Sequence, residues 1–444
     1  MSTQRFSTKP PSGFRDFIGQ QVIERNLLVS RISRVYRSFG FEPIETPALE
    51  NLEILQGSGG QENEKLIFKT LKRGEKLTDE LGKSPADVGA LADLGLRFDL
   101  TVPLCRVVAQ YQNEIKLPWK VFHIAPVWRA ERPQKGRYRE FFQCDVDIVG
   151  SDSIAAELEV IQAVVEAFNQ VQVSDLVLHL NHRSLIEKIG DKFGFGQKIS
   201  EFAILLDKKD KLPFEKLKSE LETLLGSRLS SEFESILQGE LPFEDLKSFC
   251  SSSYQSLSYM MEELEKLNLS LARIVFDPSL VRGMGYYTGS VFELRHPSAG
   301  CALGGGGRYD GLIGRFSKSP IPAVGFSIGL ERLLLLLQEK QSFSDELSVL
   351  FIPVMNEALR GDLFSIAKEL RANQIAVDVF PGEAKLKNQL KFATSRAYRW
   401  VLLVGEEELQ SGEFQLKDFS DGSVTKINRQ KLLTHLKRLL LPAK

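Results

Sequence analysis

The stretch at residues 121–143 constrains this chain more than any other. Two runs of strand-forming apolar residues enclose a short loop carrying Arg129, Arg132, Lys135, Arg137 and Arg139. Pro133 and Gly136 keep that loop out of helix, so the stretch predicts strand, loop, strand. A solvated basic hairpin accounts for the charge. It does not account for Arg129 and Glu131 falling two residues apart, on one strand face, just before the loop. Arginine at a strand end suits phosphate, because its planar guanidinium offers two donors to two oxygens. The stretch therefore predicts a site that grips a phosphorylated ligand.

The surrounding sequence sorts into helix and strand by periodicity. Leu28, Ile32, Val35 and Phe39 follow helical spacing and stop at Gly40. The prolines of 41–47 suit an edge strand or an interface. Residues 61–95 predict hairpin and loop, and 96–149 predict short strands joined by the basic loop. Ile154, Leu158, Ile161, Val165 and Phe168 form one helical stripe behind the capping cluster Ser151-Asp-Ser153. Between 184 and 269, Lys- and Glu-rich helical segments alternate with Gly and Ser breaks and carry no catalytic pattern. Strands resume at 272–276 and 290–294, and 323–327 leads into a helix at 330–340. From 347 onward strands and helices alternate, which predicts a small α/β domain.

At 444 residues the chain is long enough for two or three domains. Lys plus Arg number 57 against 58 Asp plus Glu, so a nucleic-acid partner would need local basic patches. Cys105, Cys144, Cys250 and Cys301 stand far apart, which fits neither the common zinc spacings nor a disulfide framework. His123, His179, His182 and His296 form no metal spacing and read as satisfied structural histidines. No tightly bound metal is expected. Residues 1–16 lack a hydrophobic signal core, and the leucine run at 333–337 is too short to span a bilayer. A reduced, cytoplasmic protein with no membrane partner is expected.

The form Arg-Ala-Glu-Arg-Pro-Gln-Lys-Gly-Arg-Tyr-Arg at 129–139 resembles the second signature motif of class II aminoacyl-tRNA synthetases, in its histidine–tRNA ligase version. The other signatures follow in order. Gly-Phe-Glu-Pro-Ile-Glu-Thr-Pro at 40–47 resembles the dimer-forming first motif, and Ala-Val-Gly-Phe-Ser-Ile-Gly-Leu-Glu-Arg at 323–332 resembles the third. Arg-Phe-Asp-Leu-Thr at 97–101 is similar to the element that holds the substrate amino group. Leu-Val-Arg-Gly-Met-Gly-Tyr-Tyr-Thr-Gly at 280–289 and Gly-Gly-Gly-Gly-Arg-Tyr-Asp at 304–310 resemble signatures of the histidine enzymes. One departure stands at Gly285, where the family more commonly has an acid.

The resemblance implies an α/β (α+β) architecture. An antiparallel-sheet catalytic domain would be built from 1–183 and 271–340 and interrupted by a helical insertion at 184–270. An α/β anticodon-binding domain would occupy 347–444. It also implies the reaction, in which ATP activates L-histidine to histidyl-adenylate and the histidyl group passes to the 3′ end of tRNA(His). Catalysis would fall to Arg129 and Arg282. Histidine would be held by Asp99, Leu100, Thr101, Arg129, Gln143, Asp147, Arg282, Tyr286 and Tyr287, and ATP, with its Mg2+, by Arg129, Glu131 and Arg332. A homodimer is implied as well.

The chemistry suits these residue types. The histidine carboxylate is already ionised near neutral pH, so attack on the α-phosphorus needs no catalytic base. It needs alignment and neutralised charge, which arginines provide. Three rivals share the fold: a non-catalytic regulatory subunit of histidine biosynthesis, a binding module that senses uncharged tRNA, and a class II ligase for another amino acid. The glycine run at 304–307 divides evenly between a tight hairpin and a backbone approached closely by a ligand. In the 385–397 helix, Leu386, Leu390 and Ala393 predict a buried stripe. Lys385, Lys387, Lys391 and Arg396 are left for a tRNA backbone.

Overall fold

The computed structural model describes residues 6–57, 64–83, 88–134, 136–206, 209, 212–226, 229–281, 285–317, 319–339 and 349–440. Lys135 and Arg282 lie outside these residues, as does the stretch 341–346. The chain divides into two compact units, 1–340 and 341–444.

In the first unit, helix α1 (Gln20–Ser38) buries Leu28, Ile32, Val35 and Tyr36. The chain leaves it through Gly40, whose φ of +81° suits glycine. The main sheet has eight strands: β1 (Glu42–Pro43), β2 (Trp119–Trp128), β3 (Glu140–Val149), β4 (Val177–His182), β5 (Arg273–Phe276), β6 (Ser290–Arg295), β7 (Gly304–Arg308) and β8 (Ala323–Gly329). Their order is β1-β2-β3-β8-β7-β6-β4-β5. Pairing is antiparallel except at the two edges, where β1 runs parallel to β2 and β5 parallel to β4. The 41–47 stretch thus supplies the edge strand that its prolines require.

The stretch 96–149 departs from the expected strands. Besides β2 and β3 it contains helix α2 (Thr101–Gln110), which buries Val102, Leu104, Cys105 and Val108. These positions recur at helical spacing, and their β-branched residues disguised it. Asp99 Oδ1 accepts from Val102 N at 3.1 Å and so starts the first turn. Pro103 sits within that turn, where a missing N–H costs nothing. Within 61–95, Lys69–Leu71 and Ala92–Leu96 pair antiparallel, as a hairpin would, and join Leu49–Asn51 in a three-stranded sheet; the helix Glu75–Leu81 between them was not expected.

Helix α3 (Ile154–Gln170) starts at Ser153, whose side chain accepts from Ala155 N. The Lys/Glu-rich stretch folds as successive helices, among them Phe214–Leu225, Ser231–Gln238 and Ser251–Lys266. Phe193, Phe195, Phe202 and Phe233 pack ring on ring within it, at 4.6 to 5.6 Å. Helix α4 (Leu330–Glu339) follows directly from β8.

The second unit is a five-stranded sheet of β9 (Leu350–Ile352), β10 (Val377–Val379), β11 (Trp400–Leu403), β12 (Glu413–Asp418) and β13 (Val424–Asn428), ordered β10-β9-β11-β12-β13. Helices α5 (Arg360–Ala372), α6 (Leu386–Ser395) and α7 (Arg429–Leu440) accompany it. The deepest residues of α6 are Gln389 and Ala393, while Leu386 and Leu390 are half-buried. Lys385, Lys387, Lys391 and Arg396 are exposed. Among the described residues, no helix is long and apolar enough to cross a membrane.

Candidate active site

Strand period places Gln143, Asp145 and Asp147 of β3 on one face of the sheet. Cross-strand register extends that row: Asp145 lies opposite His123 on β2 and Ser327 on β8, and Asp147 opposite Gly325. The face floors a cleft. Asp99, Thr101, Arg129, Gln143, Asp147, Tyr286 and Tyr287, all expected from sequence, line it together with Asp145, Gly305, Tyr309, Gly325, Phe326 and Ser327.

Absent side chains make the room. A Cβ on Gly325 would stand 1.8 Å from Asp147 Oδ1, and one on Gly307 would stand 2.5 Å from Ser290 O and 2.8 Å from the Tyr287 ring. The glycine run is a strand and not a tight hairpin; Gly304, Gly306 and Gly307 are crowded by their neighbours, while Gly305 lines the cleft.

Polar groups converge on the cleft with bonds to spare. Asp147 Oδ1 accepts from Tyr309 Oη at 2.6 Å, Gln143 Nε2 donates to Ser327 Oγ at 2.6 Å, and Tyr286 Oη donates to Thr101 Oγ1 at 3.5 Å. Yet Asp99 Oδ2, Gln143 Oε1 and Asp145 Oδ1 are buried with no hydrogen-bond partner among the described residues. Such groups are rare in native structures, and each calls for an explanation. Here all three belong to side chains that line one cavity.

Burial pushes the Asp99 carboxyl up to about 6 and that of Asp147 up to about 7. Asp145 rises well above the carboxylate range, through burial first and the charge of Asp147 second. Three crowded carboxyl groups therefore favour a cationic, donor-rich ligand. Arg129 faces them from the rim, its Nε donating to Phe98 O at 2.9 Å and its guanidinium 5.1 Å from the centre of the Phe141 ring.

The remaining candidates stand elsewhere. Leu100 is packed with Ala125 and Val127 and does not line the cleft. Glu131 makes an ion pair with Arg137 at 3.0 Å, and Arg332, on α4, donates to Ala302 O at 2.7 Å; neither lines the cleft. Of the expected cage, Arg129 lines it and Arg332 does not, and Arg282 lies outside the described residues. His179, His182 and His296 have partners, as expected. His123 differs: it is 3% exposed, its Nδ1 lacks a partner among the described residues, and burial, then Arg97, lowers it to about 3.

Sequence reasoning missed Asp145, Tyr309 and Ser327. Asp145 had a signal, since it falls between Gln143 and Asp147 at strand period. Tyr309 and Ser327 stood within the signatures at 304–310 and 323–332, but only the tertiary structure brings them to the same cleft.

Comparison with known proteins identifies the family. A family model described as histidyl-tRNA synthetase matches residues 13–333, and an anticodon binding domain model matches 348–439. The chain is 36% identical to a histidine–tRNA ligase of Christiangramia forsetii, over 94% of this chain and 96% of the relative. It is 35% identical to that of Porphyromonas gingivalis, over 93% and 95%. Among solved structures, the histidyl-tRNA synthetase of Nostoc sp. PCC 7120 superposes with a TM-score of 0.79 at 25% identity, covering 98% of this chain and 100% of that one. Matched along nearly its whole length, the chain belongs to the histidyl-tRNA synthetase family.

Proposed function

We propose that the cleft activates L-histidine with ATP and passes it to the 3′ end of tRNA(His), making the chain a histidine–tRNA ligase. The observation that carries this reading is the set of buried, unpartnered polar atoms on Asp99, Gln143 and Asp145 beside Arg129. An ammonium group and a ring N–H fill such acceptors, and a carboxylate or phosphate meets the arginine. A cavity with committed polar groups rejects an isostere lacking the donor by roughly 10⁴–10⁵.

In this reading Asp99 and Thr101 hold the ammonium. Gln143, Asp147, Tyr286 and Tyr287 surround the imidazole, with Asp145 and Tyr309 added to that set. Arg129 aligns the histidine carboxylate against the α-phosphorus and neutralises charge as the bond to the leaving diphosphate breaks. Arg282 assists there. Glu131 exchanges its partner Arg137 for the adenine amino group, and Arg332 meets the γ-phosphate and the adenine face. Magnesium arrives as part of the nucleotide substrate. Leu100 serves from below, fixing the backbone between Asp99 and Thr101.

The partition into 1–183, 184–270, 271–340 and 347–444 belongs to the same reading. Lys385, Lys387, Lys391 and Arg396 supply phosphate contacts to tRNA, which position it without reading bases. A cytoplasmic homodimer built on 41–47 completes the proposal, and sedimentation at several concentrations tests it. The rival regulatory subunit is less supported, since the match extends through the anticodon binding domain. Amino-acid-dependent exchange of pyrophosphate into ATP decides the main point. Histidine alone should drive it, and exchange driven by another amino acid, or by none, rejects the assignment.

A further inference from the structure

The basic loop is tied to residues 12–15 by bonds that converge on Arg139. Gly13 O accepts from Arg139 N at 2.9 Å, and Ser12 O accepts from Arg139 Nη1 at 3.2 Å. The guanidinium of Arg15 lies 3.2 Å from the centre of the Tyr138 ring. Arg139 reaches across to the other arm of the loop as well. Its Nε donates to Glu131 O at 3.0 Å, and its carbonyl accepts from Arg129 N at 2.9 Å. Between them, Ala130 N donates to Leu66 O at 2.8 Å, and the ring of nearby Phe68 packs against Phe14 at 5.9 Å.

Arg129 and Glu131 are thus each one hydrogen bond from Arg139, and Arg139 is two hydrogen bonds from the segment that precedes α1. The fit there is close. Gly13 has a φ of +88°, and a Cβ on it would stand 2.7 Å from Arg139 Cγ. Arg139 does not line the cleft, and its side-chain donors to Ser12 and Glu131 both end on backbone carbonyls. Those bonds hold chain segments in place.

We infer that Arg139, anchored by residues 12–15, is a positioning residue of the nucleotide site that sets the placement of Arg129 and Glu131 without touching substrate. This rests on the reading that those two residues meet ATP. The floor of the cleft is built by β3, β7 and β8 and does not depend on the anchor. Loosening Arg139 therefore weakens use of ATP, which meets both Arg129 and Glu131, more than binding of histidine, which meets Arg129 alone of the two and keeps the other groups lining the cleft.

The test measures pyrophosphate exchange against ATP and against histidine, with histidine binding by calorimetry without ATP, and thermal melting as the control for fold. The variants are Arg139→Ala, which removes both side-chain donors, and Gly13→Ala, which pushes the anchor away. Both should raise KM for ATP about tenfold or more while the histidine dissociation constant stays within about threefold. Unchanged KM for ATP, or equal losses for both substrates, overturns the inference. Should Arg139→Ala not fold, Arg15→Gln makes the same comparison, since Arg15 rests on the Tyr138 ring alone among these ties: a rise confined to ATP supports the inference, and no rise rejects it. Absence of histidine-dependent exchange in the unaltered protein would strike the ligase reading instead, and is seen separately.

Discussion

Two glutamines show how differently the two units use buried polarity. Gln143 on β3 and Gln389 on α6 are 8% and 1% exposed. Gln389 uses every group it has: Oε1 accepts from Val354 N at 2.8 Å, and Nε2 donates to Val354 O and to Ala384 O, both at 2.7 Å. Gln143 uses half, donating to Ser327 and leaving Oε1 without a partner among the described residues. A buried amide with every bond made locks a helix to a strand end. One left open is a socket. The same amide therefore serves the fold in one unit and a ligand in the other.

The largest effect that could break this contrast lies at Arg129. Arg129→Ala should lower turnover in pyrophosphate exchange about 10²–10³-fold, the scale of losing one charge-stabilising contact. Circular dichroism should stay that of the parent, and near-normal turnover would remove the residue from the mechanism. Next comes Gln389→Leu, which strands a backbone N–H and carbonyl oxygens. It should cost about 1–3 kcal/mol in denaturant unfolding of the second unit with KM for histidine unaltered. A neutral result would mean the amide bonds are not what secures α6.

Gln143→Leu sharpens the comparison from the other side. It should raise KM for histidine about tenfold, or ~1.4 kcal/mol, with little change in melting temperature. A large loss of stability there would show Gln143 to be structural after all.

The smallest effect is in pH. Asp99, at about 6, and Asp147, at about 7, hold protons in the folded chain that the unfolded chain has already released. Their contribution to stability is therefore greatest in acid and declines as pH rises from about 4 to about 7. Asp418 in the second unit behaves oppositely. The Arg399 bonds hold it at about 2, so its contribution is present above about pH 4 and is lost as pH falls through about 2. Melting of the ligand-free protein between about pH 5 and about pH 7, inside that window and above the range of Asp418, should show a decline that Asp147→Asn flattens and Asp418→Asn leaves alone. A slope unmoved by Asp147→Asn would place the protons elsewhere.

Much of the site was legible because family signatures, like strand period, are local properties. Gln143 and Asp147 came from the resemblance alone, and strand period, followed between them, would have added Asp145 on the same face. Helix α2 was misread because Val102, Val107 and Val108 favour strand locally, while packing of the apolar face and the Asp99 bond decide for helix. The buried stripe of α6 was read as apolar, yet its deepest polar member is Gln389, whose partners lie on the far side of a chain excursion from residue 354.

What the sequence determined alone was the kind of each element over most of the chain, the family signatures in their order, and the basic loop as the place of phosphate chemistry. Those follow from spacing along the chain, which needs no fold to be read. What the tertiary structure decided was which strands lie side by side, and so that Tyr309 reaches Asp147, that Ser327 meets Gln143, and that Asp147 stands against Gly325 where any side chain would clash. Register between strands distant in sequence is fixed by burial of whole faces, and no local pattern encodes it.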